Sequence, residues 1–332
     1  MSAGPGRAGP GSDPALSLEA AVGLLGRPSL AQLLVAPLWL YLIVRWTHDW
    51  VLAPGQNVSA RVSLLPLEAV SETARWLDRA GESGLLAAVS TWAAGGVEFL
   101  AFGLASLPQL AAGAWLTILL TVSAILLGFV LAVPLAVVRV YGNRPLRWLS
   151  LSITETLRGT PLLAQLFVLY YGLSLTRYLG AIPGIGWGLI PGTAVFVAVV
   201  GFTINSAAYQ AEYIRSALQG LDGGQLTAAR AVGLSKLAGI RHVVLPQGLR
   251  FAIPGWSNEL VYLIKYSSLA SFITVGDLFF RARSIGSDSY RYLEIYAVAG
   301  VFYVLLVLSA SMLMERVETR TAIPGLGTTG DR

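Results

Sequence analysis

The sequence predicts an all-α polytopic membrane protein. Of its 332 residues, 55% are hydrophobic and only 12% are charged, and the mean hydropathy is positive. A soluble globular chain carries about twice that charged fraction. Long uncharged stretches alternate with shorter segments that contain most of the arginines. These observations exclude a soluble domain and predict several helices that cross a bilayer.

The first third of the chain is predicted to contain one span and an irregular region. Residues 1–27, rich in small residues and proline, are expected to form a disordered tail. Pro28–Val44 is uncharged and is followed by Trp46 and Trp50, which are typical anchors at a membrane surface. The remainder, to residue 112, mixes proline, glycine and both charges with an excess of acid, and the orientation given below places it outside the cytoplasm.

Residues 84–106 within that region are apolar but contain Glu98 and a glycine pair. We expect an interfacial or partly inserted helix there. If this segment instead crosses the membrane, the amino terminus moves to the outer side.

Five core spans are predicted between residues 113 and 316. They are Ala114–Val138, Thr160–Leu175, Thr193–Ala211, Ile253–Val275 and Ile295–Met314. Thr160 is expected to cap the second of these helices, with Pro161 at its first position, where a missing N–H costs nothing. The segment Asp277–Glu294 is expected to be a charged outer loop.

The arginines predict the orientation. Arg139, Arg144 and Arg147 follow the first core span, and basic residues outnumber acids between Glu212 and Arg250. Because cytoplasmic loops are enriched in arginine and lysine, both segments are expected inside the cell. Six spans then place both termini in the cytoplasm, with residues 317–332 as a second tail.

A small, basic island interrupts the apolar spans. Ala228 and Ala229 favour a helix with little side-chain bulk, and Gly233 can end that helix in a left-handed conformation. Ser235 can cap a second helix that runs to Val244. The pattern predicts a water-facing helix-turn-helix with a thin surface that a groove on a partner can hold; an ordinary loop helix is the simpler alternative.

This island resembles the cytoplasmic coupling loop of the permease subunits of ATP-binding-cassette (ABC) importers. The family pattern is Glu-Ala-Ala, three residues, Gly, nine residues, Ile, one residue and Leu-Pro. Thr227 stands in place of the acid, and the matching residues are Ala228, Ala229, Gly233, Val243, Leu245 and Pro246. The resemblance implies that these positions contact a partner ATPase, except that Thr227 cannot form an ion pair, a contact worth ~0–1 kcal/mol on a surface.

Further stretches resemble the permeases of polar amino acid uptake systems. They include Leu157–Leu163, Asn205–Glu212, Leu245–Gln247 and Asn258–Leu269, in family order. The resemblance implies a type I importer transmembrane domain at residues 113–316, with its coupling loop at about 219–246. It also implies a prokaryotic inner-membrane location, a second permease subunit, two ATP-binding subunits and an extracytoplasmic solute-binding protein. One extra helix in residues 28–112 precedes the five core helices.

The chain has no phosphate-binding loop of its own. Such a loop needs Gly-Lys followed by Ser or Thr, and the lysines Lys236 and Lys265 are preceded by Ser235 and Ile264. ATP and magnesium are therefore expected on a partner chain. The lack of cysteine and of a His-Glu-x-x-His motif argues against an enzyme or a metal site. We expect lipid, but no nucleic acid, as a further partner.

Two predicted spans carry polar residues at helical spacing. Lys265 lies deep in its span, where a charge costs about 2.5–3.5 kcal/mol and so predicts a function. We expect the two polar faces to meet and line a substrate pathway. The predicted pathway residues are Asn205, Ser206, Tyr209, Asn258, Tyr262, Lys265 and Ser268.

Alternative interpretations remain at this stage. Lys265 can simply pair with a carboxylate, and Asn205 and Asn258 can serve as interhelical hydrogen-bond contacts. An ion-coupled secondary amino acid transporter, using Lys265 with Glu212 or Glu259, is the alternative function, although two matched sequence repeats are not evident. A channel or scaffold explains the helices but not the coupling motif.

Overall fold

The computed structural model describes residues 29–52, 58, 61, 63–64, 67–80, 85–186 and 190–321. These ranges contain helices, turns and no β-strand, which confirms the all-α class. The helices are α1 (Leu30–Thr47), α2 (Leu67–Ala80), α3 (Leu85–Tyr141), α4 (Arg144–Gly159), α5 (Leu162–Phe167), α6 (Leu175–Gly180), α7 (Thr193–Gly220), α8 (Gly224–Ala231), α9 (Lys236–Gly239), α10 (Leu245–Tyr266), α11 (Leu278–Ser289) and α12 (Tyr292–Thr321). The predicted tail at residues 1–27 and most of the one predicted at residues 317–332 lie outside the described residues, whereas residues 317–321 form the end of α12.

Helix α3 is far longer than predicted. It contains 57 residues and continues through Pro108 and Pro134, so it is about 85 Å long against a hydrocarbon thickness of about 30 Å. The prediction of a separate interfacial helix at residues 84–106 was therefore wrong. That segment is the first part of the same helix as Ala114–Val138, and α2 packs against α3.

Four helices in the described residues are long and apolar enough to cross a membrane, or five if a bent pair is counted as one span. The four are α1 with its π-turn, most of α3, α7 and α12. The bent pair joins Lys236–Ile273 to α11 at 54°. The span predicted at Thr160–Leu175 is shorter than a membrane thickness, covering Leu162–Gly172.

Three local expectations were wrong. Thr160 ends α4 instead of capping α5, and its hydroxyl donates to the Thr156 carbonyl. The arginine-rich segment after α3 is not a loop but the amphipathic helix α4, which begins at the Asn143 cap. The predicted outer loop Asp277–Glu294 contains α11, because Asp277 accepts a hydrogen bond from the Phe280 amide and caps that helix.

Small residues bring α3 close to its neighbours. A Cβ at Gly113 would lie 2.7 Å from the Asp277 carbonyl oxygen, and one at Gly128 would lie 2.6 Å from the Gln210 side chain. Helices in membranes associate largely through such close packing. The helices α3, α7, α10 and α12 therefore form the centre of the bundle.

Helix α1 is attached along the outside of this centre. Trp39 Nε1 donates to Ser309 Oγ of α12 at 2.8 Å, and Trp115 Nε1 of α3 donates to the Leu42 carbonyl at 3.2 Å. The two indole rings meet edge to face at 6.3 Å. These contacts fix the added helix against both α3 and α12.

A buried charge cluster lies beyond the carboxyl end of α1. Asp49 is 3% exposed and contacts Arg45 at 2.9 Å and Arg61 at 2.7 Å. Burial and the Arg45 charge lower the pKa of Arg61, whereas Asp49 acts in the opposite direction. Asp49 is thus the shared counter-charge that joins α1 to the segment after it.

We predict that Asp49→Asn lowers the free energy of unfolding by about 3–5 kcal/mol, because it leaves the buried Arg45 and the partly buried Arg61 without this carboxylate. Thermal unfolding of the full-length chain in detergent measures the effect. Asp288→Asn, at an exposed position of α11, is the control and should unfold like the wild type. Equal melting temperatures for the two variants would contradict the assigned role of Asp49.

Candidate functional site

Gly233 forms the sharp turn that was predicted between the two helices of the basic island. Its φ is +89°, and its amide donates to the Arg230 carbonyl at 3.0 Å. The Leu234 amide donates to the Ala229 carbonyl at 3.1 Å. This pair of bonds is the Schellman ending of α8, which requires a left-handed residue at the position of Gly233.

The second half of the island is helical from its first residue. The Ser235 hydroxyl accepts a hydrogen bond from the Ala238 amide at 3.2 Å, as expected for a cap. Helix α9 then continues through a π-turn, Ile240–Val244, directly into α10. The predicted second helix is therefore not a separate short element but the beginning of a membrane-spanning helix.

The island, residues 224–246, is tied firmly to the bundle. Lys236 Nζ donates to the Tyr141 carbonyl at the end of α3, at 2.8 Å. Ala229 is buried, and a Cβ at Gly239 would lie 3.3 Å from the Ala229 Cβ and 2.9 Å from Leu226. Helix α8 therefore packs on α9 without space for a side chain at residue 239.

The exposed surface of the island includes residues that the sequence reasoning missed. Thr227, Ala228 and Gly233 are exposed as required for a contact surface. Val232 and Leu237 flank them and are 79% and 73% exposed. Apolar residues within an otherwise polar loop were the available signal, and they suit a protein partner better than water.

Leu245 and Pro246 lie apart from that exposed turn. Leu245 is half-buried against the apolar core formed by α3, α7 and α10, whereas Pro246 is exposed at the first turn of α10. Proline is tolerated in a first turn because its missing N–H has no helical partner there. This pair marks the junction between the island and α10.

The predicted polar face of α10 is on the surface of the chain. Asn258, Tyr262 and Lys265 are exposed, and Ser268 lies just beyond in the following 3₁₀ turn. Lys265 Nζ lies 5.8 Å from the centre of the Tyr262 ring, and within the described residues no carboxylate is within ion-pair distance of it. The alternative that Lys265 simply neutralises an acid of its own chain finds no support in these contacts.

The predicted polar residues of α7 are placed differently. Asn205 is buried and donates to Gln165 Oε1 at 3.1 Å, and Ser206 accepts from Gln210 Nε2 at 3.0 Å. The Tyr209 hydroxyl donates to the Arg158 carbonyl at 3.5 Å. The structure does not bring these three side chains onto the exposed face of Lys265.

Glu212 joins three helices near the island. Its carboxylate contacts Arg215 of α7, Arg158 of α4 at 3.7 Å and Arg139 of α3 at 3.8 Å. Glu155 contacts the same two arginines of α3 and α4 at 3.4 and 3.5 Å, but its side chain is more exposed than that of Glu212. Glu212 therefore acts as the central counter-charge of this cluster, and it is not paired with Lys265 as an ion-coupled transporter was expected to require.

Comparison with known proteins gives consistent results. Residues 124–323, more than half of the chain, match the family described as "binding-protein-dependent transport system inner membrane component". The nopaline transport system permease protein NocM of Agrobacterium fabrum is 36% identical over 213 residues, covering 64% of this chain and 88% of the relative. The arginine transport system permease protein ArtQ of Bacillus subtilis is 33% identical, covering 64% and 93%.

Solved structures show the same fold. A crystal structure of an amino acid ABC transporter with histidines aligns with a TM-score of 0.54 and 33% identity, covering 64% of this chain and 94% of that one. An inward-facing structure of the MetNI methionine ABC transporter aligns with a TM-score of 0.54 at 23% identity, covering 64% and 96%, and supports the fold alone.

We predict that Glu212→Gln lowers the free energy of unfolding by about 1–3 kcal/mol, because the three arginines that contact residue 212 lose its negative charge. Glu155→Gln, at a carboxylate with a side chain that is 52% exposed, should cost less than ~1 kcal/mol. Thermal unfolding of both variants in detergent makes the comparison. A larger loss for Glu155→Gln would contradict the central place of Glu212.

Proposed function

The chain belongs to the family of binding-protein-dependent transport system inner membrane components, and from this premise we propose that it is the permease subunit of an ATP-driven importer of polar amino acids. The membership supports the ABC importer interpretation and not the ion-coupled alternative. It also assigns ATP hydrolysis to a separate subunit. The proposal concerns the substrate and the roles of individual residues.

The substrate class rests on the relatives. Those with at least 33% identity include systems named for nopaline, octopine, arginine and cystine. These molecules share an amino acid carboxylate and polar or charged groups. We infer that this chain transports a solute of the same class, delivered by an extracytoplasmic binding protein.

The coupling role rests on one structural observation: the island is continuous with α10. Residues 236–266 form an unbroken helical path about 45 Å long at 1.5 Å per residue. A displacement imposed on the exposed turn at Gly233 is therefore carried to the level of Lys265 within one element. We propose that partner ATPase subunits hold the surface of Thr227, Ala228, Val232 and Leu237, while Ala229, Leu245 and Pro246 connect that surface to the bundle.

The exposed polar face of α10 suits a pathway between two permease subunits. A lysine within an apolar helix is costly in lipid and acceptable beside water or a partner. Two subunits facing each other would enclose Asn258, Tyr262, Lys265 and Ser268, and the Lys265 ammonium would attract a substrate carboxylate. Asn205, Ser206 and Tyr209 would support this pathway from behind through α7, as the burial of Asn205 and Ser206 suggests.

This proposal sets the orientation of the chain. The island and the Glu212 cluster face the cytoplasm of a prokaryotic cell, where the ATPase subunits are. The carboxyl end of α12 lies on the same side, because the bent pair counted as one span and α12 give two crossings after the island. The amino terminus is proposed to be cytoplasmic too, with α2 and the first part of α3 outside.

We predict that Gly233→Val uncouples ATP hydrolysis from amino acid uptake. A β-branched residue in a left-handed conformation is strained by about 1–3 kcal/mol, which unwinds the turn and weakens transport by roughly tenfold. The measurement is amino acid uptake and ATP hydrolysis by the reconstituted complex, at equal membrane abundance. Thr227→Glu, which restores the usual acid on the same surface, is the control and should retain uptake. Normal uptake by the Gly233 variant would contradict the coupling role.

We predict that Lys265→Ala weakens substrate binding to the detergent-solubilised complex by roughly tenfold or more, because it removes the cation for the carboxylate. Equilibrium binding of labelled amino acid measures the affinity. Arg144→Ala, which loses an exposed cation at the start of α4 outside the pathway, should leave the affinity unchanged. Unchanged affinity and specificity in the Lys265 variant would exclude direct binding.

A further inference from the structure

An open apolar groove lies where α4 leaves the end of α3. It has a volume of about 380 Å³, and its walls come from α3, α4 and α7. Leu146, Leu149 and Ile153 line it from α4, and each of them is at least 40% exposed. Ser150 is the one polar side chain in the described lining, and its hydroxyl already donates to the Leu135 carbonyl at 2.9 Å. The groove is therefore open to its surroundings and suits a hydrocarbon chain.

Two exposed cationic side chains meet at the end of α3. Arg147 Nη2 donates to the carbonyls of Val140 and Gly142, each at 3.5 Å. Lys236 Nζ donates to the intervening Tyr141 carbonyl at 2.8 Å. Because the three carbonyls are consecutive, the two cationic groups lie within roughly 10 Å of each other. One guanidinium nitrogen makes both contacts of Arg147, which leaves further N–H donors for a ligand.

No carboxylate among the described residues pairs with these two cations. The ion pairs that the described residues form involve other basic side chains, and neither Arg147 nor Lys236 takes part in one. The carboxyl end of α3 carries a partial negative charge of about half a unit, which offsets only part of two positive charges. The surface at this end of α3 is therefore net positive and attracts an anion.

The groove and the cation pair are adjacent. Val138 is the last residue of α3 in the groove wall, and Gly142, whose carbonyl contacts Arg147, follows it by four residues, about 6 Å along a helix. Arg147 itself lies between the wall residues Leu146 and Ser150 of α4. A phospholipid places its phosphate just beyond its acyl chains, so an anionic head and a hydrocarbon chain match the two parts of this surface. A free phosphate matches the cations alone.

We propose that this surface binds one anionic phospholipid of the cytoplasmic leaflet. An acyl chain lies in the groove between α3 and α4, and Arg147 and Lys236 bind the phosphate. Trp148, next to Arg147 and 62% exposed, is a residue type enriched at membrane surfaces. Since Lys236 belongs to the island, the bound lipid joins the island to α4. The leaflet follows from the orientation proposed above, whereas the site does not depend on which substrate is transported.

The test uses the assembled complex in nanodiscs that contain phosphatidylglycerol or phosphatidylcholine, each with the same photoreactive acyl chain. Both lipids have a phosphate, but only phosphatidylcholine carries a compensating cation. Mass spectrometry locates the labelled residues. We expect phosphatidylglycerol to label residues 131–138 and 146–157 at least roughly fivefold more than phosphatidylcholine does, because one basic residue near an anionic lipid contributes about that factor. High ionic strength should reduce the difference.

Arg147→Gln and Lys236→Gln each remove one cation, and each should lower labelling by phosphatidylglycerol roughly fivefold. Arg147→Lys keeps the charge and should be labelled nearly like the wild type. Arg177→Gln removes an exposed arginine of α6, which lies near the opposite end of α7 from the island. This control should be labelled like the wild type.

Equal labelling of the wild-type groove by the two lipids overturns the proposal without any variant. Unchanged labelling by phosphatidylglycerol in both glutamine variants also overturns it. If neither lipid labels residues 131–138 and 146–157 in the complex, a partner protein covers the groove, and the proposal is wrong.

Discussion

The structure depends on one constraint: the exposed turn at Gly233 and a helix long enough to span a membrane are parts of the same continuous helical path. The Schellman ending at Gly233 directs the chain back toward the bundle, and the contact between Ala229 and Gly239 leaves no space for α8 to slide on α9. Lys236 anchors the pair to the end of α3. Since α9 continues into α10, we propose that movement at the exposed turn shifts the helix that carries Lys265.

The rest of the bundle supports this element from both sides. Glu212 forms ion pairs with arginines of α3, α4 and α7 beside the island. Gly113 and Gly128 allow α3 to approach α11 and α7 closely. At the other end of α1, Asp49 joins two arginines that α1 and the following segment supply. We propose that the bundle is the frame against which α10 moves, and that α1 is an addition fixed to its outside.

Much of the fold followed from hydropathy and local turn chemistry. The uncharged stretches gave the α3, α7 and α12 helices, and Gly233 and Ser235 were assigned their roles from residue type alone. Helix α4 was missed because arginine content was taken to indicate a loop, although Asn143 and the apolar spacing of Leu146, Leu149 and Ile153 were a helix signal. The continuity of residues 85–106 with the rest of α3 was missed because Glu98 and the glycine pair set that segment apart in the sequence, whereas the structure continues one helix through them and through Pro108.

The sequence predicted which residue types form the candidate site, but not where all of their side chains lie in the structure. Helical spacing alone put Asn258, Tyr262 and Lys265 on one face, which the structure exposes, yet it cannot show that Asn205 and Ser206 turn inward to Gln165 and Gln210. The central claim is that the island carries ATP-driven motion to α10. The chain lacks cysteine, so thiol reactivity of Ala228→Cys and Tyr262→Cys in the assembled complex, compared between nucleotide-free and vanadate-trapped states, tests it most directly. The account predicts that the ATPase shields position 228 and that reactivity at position 262 changes with the nucleotide state; full reactivity at 228 and no change at 262 would contradict it.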